Sequence, residues 1–260
     1  MPLPDLNLLA DAEPPPVRVL RPLGSSDFVL AADHAGRLIP RALGTLGLEA
    51  SELTRHIAWD IGIAAVTETL SALLDASAVL QAYSRLVIDC NRAPGHPTSI
   101  PAISESTPVP ANEGLPETER DARRRAIFDP YHAAIAGLLD ARASAGRRTV
   151  LIAMHSFTPV FKSVARRVEV GVLYHHETRL SRIMLELLRA EGDLAVGANE
   201  PYAITGDSDY TVPVHGEGRG IEYVEIEIRQ DLITESNGQA AWARRMDRLL
   251  READKRLRET

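Results

Sequence analysis

Residues 28–34 read Phe-Val-Leu-Ala-Ala-Asp-His, five apolar residues running straight into an acid and a histidine. An apolar run of this length stopped by polar residues is the pattern of a buried strand. Downstream, Leu53, Ile57, Ile61, Ala64, Ala65, Leu70 and Leu73 recur at roughly helical spacing, with Ser51 as N-cap, so the spacing predicts a helix over 51–74. Ala78 to Ala82 is apolar again and predicts a second strand. Strand, helix, strand in that order calls for a largely parallel sheet with helices laid against it.

The same alternation extends outward. Arg85 to Cys90, Thr149 to Met154, Glu169 to Tyr174 and Ile221 to Ile228 read as strands, and 116–143, 178–190 and 238–258 as helices. Two stretches lack periodicity. Residues 93–116, rich in Pro, Ser, Thr and Gly, predict a lid or a disordered excursion, and 197–219 an irregular binding loop. Pro14, Pro15 and Pro16 favour extended chain, so 1–20 reads as an N-terminal arm laid over the domain or as a disordered tail. The expected architecture is one α/β domain over 21–260, a mixed, largely parallel sheet with helices on both faces.

Composition excludes several classes. Lys and Arg total 29 against 36 Asp and Glu in 260 residues, a formal charge of −7, which repels phosphate backbones and argues against nucleic acid. No apolar run approaches the ~20 residues that cross a bilayer. With Cys90 as the single cysteine there is no intrachain disulfide and no multi-thiolate metal site, which suits a reducing cytoplasm. The charges of the closing helix suit a solvated surface as well as an interface, so oligomeric state stays open. No GxSxG elbow points to a serine hydrolase, and the Gly216 to Gly220 run precedes no helix that would make it a nucleotide motif.

Chemistry concentrates where strands run out: Asp33-His34, Asp89-Cys90-Asn91-Arg92 and His155-Ser156. Ligands of open α/β sheets gather at such ends. His34 and His155, with a carboxylate between them, would make a zinc set with a fourth position for water, although either histidine alone could be a hydrogen-bonded structural residue. The closing strand Glu222-Tyr-Val-Glu-Ile-Glu-Ile-Arg229 puts Glu225, Glu227 and Arg229 on one face. That face is either solvated at an edge or the site of a base. His175 and His176 look like a metal pair, but neighbouring residues on a strand diverge, so one ion is not expected to take both. His132 reads as structural.

The motifs Asp33-His-Ala-Gly36, Ser84-Arg-Leu-Val-Ile-Asp-Cys-Asn-Arg92, His155-Ser-Phe-Thr-Pro159, Asn199-Glu-Pro-Tyr202 and Glu227-Ile-Arg-Gln-Asp-Leu232, in this order, resemble the N-formylglutamate amidohydrolase family over about residues 28–235. The resemblance implies a zinc-dependent hydrolase on a scaffold like that of zinc carboxypeptidases and aspartoacylases. Such an enzyme cleaves N-acyl amino acids such as N-formyl-L-glutamate to formate and the free amino acid. It implies His34 and His155 as zinc ligands and Glu227 as the base that activates water. Carboxypeptidases carry a glutamate three residues after the first histidine, but here that position is Arg37. The carboxylate ligand must come from elsewhere, either from Asp60 on a helix facing the strand ends or from Asp33. Asn91 and Arg92 match a pair that holds the α-carboxylate. Arg85 would polarise the scissile carbonyl or bind a second carboxylate. Arg166 resembles a family arginine that would reach an acidic substrate. Tyr202 and His215, in or beside the irregular stretch 197–219, are expected to be substrate contacts because loops often complete binding sites. Alternatives on the same site are a carboxypeptidase, another N-acyl-amino-acid deacylase, or an inactive zinc-site binding protein.

Overall fold

The structure, a computed structural model, describes residues 8–176, 178–206 and 209–259. Seven strands form one sheet: β1 (Val17–Leu20), β2 (Phe28–Ala32), β3 (Ser77–Gln81), β6 (Val150–Phe157), β9 (Val170–Leu173), β10 (Val196–Ala198) and β11 (Glu222–Arg229), in the order β1-β3-β2-β6-β11-β9-β10. The hairpins β4 (Ile103–Ser104) with β5 (Thr107–Pro108), and β7 (Val160–Phe161) with β8 (Val164–Ala165), stand apart from it. Strands β3, β2, β6 and β11 run parallel at the centre, while β1 and β9 pair antiparallel at either side. The mixed, largely parallel α/β sheet expected from the alternation is present.

Strand period 2 sorts the core into two layers. Phe28, Leu30, Ala32, Ile152, Met154, Val224 and Ile226 face α1 (Ile63–Leu74), α4 (Arg179–Glu191) and α5 (Ser236–Arg258). Val29, Ala31, Leu151 and Ala153 face α3 (Asp129–Ser144), which continues α2 (Glu117–Arg123) through a π-turn at Arg124–Phe128. On this second face the apolar residues give way to Asp33, just past β2, to His155 within β6 and to Glu225 and Glu227 within β11, so polar groups cluster where the apolar layer stops.

Several elements differ from the sequence expectation. The helix expected over 51–74 begins only at Ile63; residues 51–62 form turns whose Ile57 and Ala58 are buried. Buried loop residues at near-helical spacing imitated another helical turn. Gly62 breaks it at φ 83°, and a Cβ there would lie 2.1 Å from the Ile233 carbonyl oxygen. Arg85–Cys90 forms no strand. Ser84 Oγ accepts from the Leu86 amide at 3.1 Å, and the Val87 amide donates to the Ser84 carbonyl at 2.9 Å, so the apolar triplet 86–88 is buried in a turn. The 93–116 segment is a packed wall: buried Asn112 accepts from Arg123 at 2.6 Å and donates to the carbonyls of Leu86 and Pro101. Within the expected arm, residues 1–7 lie outside the described ones. The remainder lies on the domain, with the Pro14 carbonyl accepting from the Tyr83 hydroxyl at 2.8 Å and Val17–Leu20 forming edge strand β1.

Candidate active site and metal centre

The ends of β2, β6 and β11 open into a cavity of about 430 Å³ lined by His34, Asp60, Arg85, Asp89, Asn91, Arg92, His155, Tyr202, Glu225 and Glu227, among others. Its floor is the polar continuation of the sheet. Its walls are the two segments without periodicity, represented by Ile103 and Glu105 on one side and Tyr202 and Ile204 on the other.

His34, Asp60 and His155, at 3, 3 and 2% exposure, bring one donor atom each to within 4.8 Å of the others, an arrangement that could hold a metal ion. Asp60 comes from the turn before α1 rather than from a helix. Its amide donates to the His34 carbonyl at 2.9 Å, and its Oδ2 accepts from the Ser156 amide at 3.1 Å, which pins it between the two strand ends. His155 Nδ1 lies 2.9 Å from Asp60 Oδ2. His34 Nδ1, 3.5 Å from the same oxygen, is buried with no hydrogen-bond partner among the described residues.

The outer nitrogens explain the orientation. His34 Nε2 is 2.7 Å from Asp89 Oδ1, and His155 Nε2 is 3.1 Å from Asp33 Oδ2. Each imidazole is thus backed by its own carboxylate, and both Nδ1 atoms turn toward Asp60. Carboxylate-backed histidines are the usual outer support of metal ligands, fixing tautomer and ring direction. Asp33 is itself held by the Thr211 hydroxyl at 2.7 Å. Asp33, just past β2, and Asp89, in the turn after Ser84, therefore stand behind the histidines, a part the sequence reading did not give them. Burial opposes the Asp33 carboxylate, but the bonds from His155 and Thr211 and the charge of His34 bring its pKa down to about 2. Burial likewise opposes the Asp89 carboxylate, and Arg85 and His34 hold it well below the ordinary range. Replacing Asp89 by Asn, which keeps the shape and removes the charge, is expected to weaken metal binding by about 10- to 100-fold, measured by competition with a chelating dye.

Glu227 sits opposite His155 in the parallel β6–β11 register, and Glu225 opposite Ala153. Both are buried, and the Oε2 atom of each lacks a hydrogen bond among the described residues, although His155 Nε2 lies 3.9 Å from that of Glu225. Burial raises both carboxyls, the charges of Asp33 and Asp209 taking Glu225 to about 7 and those of Asp60 and Glu225 raising Glu227 well above its ordinary value. The solvated-edge reading of this face does not hold, because β11 is an interior strand.

Arg85 bonds Asp89 Oδ2 at 2.8 Å and approaches Asp60 Oδ1 at 3.5 Å, so its guanidinium lies at the rim of the cluster. Arg92 bonds Asp209 Oδ1 at 2.6 Å. Asn91 Oδ1 accepts from the amides of Tyr210 and Thr211, both at 3.1 Å, which leaves its amide nitrogen for a ligand. Arg166 donates to the Tyr202 hydroxyl at 2.7 Å and lies over the Tyr202 and Phe161 rings at 4.6 and 4.8 Å. Arg37, in place of the carboxypeptidase glutamate, lies over the Trp59 ring at 5.2 Å.

His215 does not reach the cavity. It stacks on His132 with ring centroids 5.2 Å apart and its Nε2 3.0 Å from His132 Nδ1, and burial and the neighbouring His132 push its pKa down to about 4. Its loop position suggested a ligand contact, but the π-turn Val212–Gly216 rolls the side chain inward. His56, 3.3 Å from Glu105 Oε2, does line the cavity and was not anticipated. It occupies a turn, without a strand end to mark it.

Among the described residues, no helix is long and apolar enough to cross a membrane. No curated protein matches the sequence. The solved structure of a gene product from Agrobacterium tumefaciens is similar at 39% identity, over 96% of this chain and 99% of that one, with a TM-score of 0.93. The N-formylglutamate amidohydrolase from Ralstonia eutropha JMP134 shares the fold at 19% identity, over 94% of this chain and 99% of that one, with a TM-score of 0.71. The N-formylglutamate amidohydrolase family model matches residues 26–234, which include His34, Asp60, His155 and Glu227, and the chain belongs to that family.

Proposed function

We propose that this protein is a zinc-dependent amidohydrolase that cleaves the amide of N-acyl, and specifically N-formyl, amino acids, with N-formyl-L-glutamate as substrate and formate and glutamate as products. The observation that carries the reading is the buried His34–Asp60–His155 cluster with Glu227 and Glu225, each with an Oε2 that makes no hydrogen bond among the described residues, lining the same cavity. Two imidazoles and one carboxylate suit zinc and leave it an open position. His34 Nδ1, which makes no hydrogen bond among the described residues, supports the fit, since a buried imidazole nitrogen without one is costly unless a ligand takes it. Bound there, zinc would supply Lewis-acid polarisation of the scissile carbonyl and of water.

The protein's own groups do the remaining work. Glu227 takes the proton of the attacking water and passes it to the leaving amine. Arg85, anchored on Asp89, offers a guanidinium to the oxyanion that develops on the carbonyl oxygen. Arg92 and the Asn91 amide hold the α-carboxylate, Arg92 exchanging part of its bond to Asp209 for the ligand. Arg166 and Tyr202 receive the second acidic group of the substrate.

Arg92→Leu is expected to raise KM roughly 10- to 100-fold, the equivalent of losing one hydrogen bond to a charged group, with metal content unchanged. An amide without an α-carboxylate should show no such difference between wild type and variant. The test of the function itself is formate release from N-formyl-L-glutamate by zinc-loaded protein, beside N-acetylglutamate, other N-formyl amino acids and a dipeptide. Preferential turnover of N-formylglutamate is the expected result. Turnover of the dipeptide or the acetyl compound instead would replace the substrate assignment. No turnover of any of them by zinc-loaded protein would favour a binding protein.

A further inference from the structure

Outside the cavity, a second group of metal-ligating side chains converges on one carboxylate. His175 Nδ1 lies 2.7 Å from Glu217 Oε2, and His176 Nδ1 contacts Glu217 Oε1. The three donor atoms lie within 4.8 Å of one another. Because β9 runs antiparallel to β11, these histidines follow the end of β9 that lies beside the start of β11, at the opposite end of the sheet from His34 and His155.

The divergence expected of neighbouring strand residues does not apply here. His175 and His176 lie in a bend beyond Leu173, where the two rings meet edge to face with centroids 4.3 Å apart. One residue of β11 organises both halves of the cluster. The Tyr223 hydroxyl accepts from the His176 amide at 3.1 Å and donates to the His176 carbonyl at 2.9 Å, fixing the backbone of the pair. The Tyr223 ring also packs on Gly216, where an added Cβ would lie 2.9 Å from it, so the turn carrying Glu217 is drawn against the same side chain. The backbone that carries His176 and the turn that carries Glu217 are therefore held by the same buried tyrosine.

We propose that His175, His176 and Glu217 form a second metal site, for a divalent cation of borderline softness such as Zn²⁺. Two imidazoles with one carboxylate are the donor set that such ions prefer over Mg²⁺ or Ca²⁺. The His176 side chain is 76% exposed, so water completes the coordination shell and the ion exchanges freely. The site binds more weakly than the buried cluster, which has carboxylates behind both of its imidazoles.

The test is calorimetric titration of tag-free, chelator-stripped protein with ZnCl₂, with bound metal counted after gel filtration. Wild type is expected to take two equivalents in two phases. His176→Ala and Glu217→Gln should each keep the tight phase and weaken the other at least about 10-fold, since a direct ligand is worth no less than an outer-shell partner. His34→Ala should show the converse, retaining only the weak phase. Both surface variants are expected to match the wild-type melting temperature in chelator, which separates lost binding from lost folding. A single equivalent in wild type, or two unchanged phases in His176→Ala and Glu217→Gln, would overturn the proposal.

Discussion

Purified with its metal, the protein is expected to hold close to one tightly bound zinc, and His34→Ala or His155→Ala to remove nearly all of it. A three-ligand site that loses an imidazole keeps two donors, too few to hold an ion that water can fully solvate. The loss should also be visible in stability. A ligand that binds only the folded state adds RT ln(1 + [L]/Kd), about 4 kcal/mol at a thousandfold excess over Kd. Chelator should therefore lower the melting temperature of wild type by several degrees and leave the two histidine variants unmoved. Each substitution also strips a partner from buried carboxylates, Asp60 and Asp89 for His34 and Asp33 and Asp60 for His155, so the variants should melt lower even without metal. The decisive reading is the chelator effect within each variant, because general destabilisation does not cancel it. Tight zinc retained in both variants, with a chelator-sensitive melt, would remove His34 and His155 from the centre. Asp60→Asn distinguishes the two carboxylates: as a ligand it should lower affinity as steeply as the histidines, whereas Asp33, behind His155, should have the smaller effect of an outer partner.

Much of this centre could be read from the chain because its parts lie where strands end. An apolar run must stop when it leaves the core, and the residues that interrupt it are Asp33-His34, just past β2, and His155-Ser156, the last residues of β6 before it ends at Phe157. The alternating acids of β11 were legible for the same reason, since a period of two places Glu225 and Glu227 together whichever face is buried. What could not be read depends on contacts distant in sequence. Asp60 owes its position to the His34 carbonyl and the Ser156 amide, one of them 96 residues away, and no local pattern encodes that bond. The turn holding Asp60 looked helical because buried Ile57 and half-buried Ile61 stand four residues apart, the spacing of a helix face. Arg85–Cys90 looked like a strand because a buried turn and a buried strand demand the same residues over such a short run. His215 was misplaced by a general rule, that loops complete sites, which says nothing of which way a π-turn rolls its side chains. Asp33 and Asp89 lay in motifs already singled out. Their place behind the histidines emerges only when ring orientation is known.

The largest loss of turnover is expected at Glu227. Glu227→Gln preserves the length and shape of the buried side chain and removes the carboxylate oxygen that accepts the proton. Folding and zinc content should therefore stay close to wild type while kcat falls roughly 10²- to 10⁴-fold, the range of a positioned general base. Glu225 is the competing base, on the same face two residues earlier, buried and likewise without a hydrogen bond at Oε2 among the described residues, with His155 Nε2 3.9 Å away. Two differences favour Glu227. It lies directly across from His155 in the strand register, whereas Glu225 lies across from Ala153, one step deeper toward the core. Its electrostatic neighbours include Asp60 and Arg85 at the cluster, whereas those of Glu225 include Asp33, Asp209 and Arg92. Glu225→Gln should accordingly change kcat much less, and any effect it has through Arg92 should appear mainly in KM. Formate release by the two variants, each with its zinc counted, separates the roles. A large kcat loss in Glu225→Gln with near-normal turnover in Glu227→Gln would transfer the base to Glu225, and wild-type turnover in both would show that neither glutamate moves the proton.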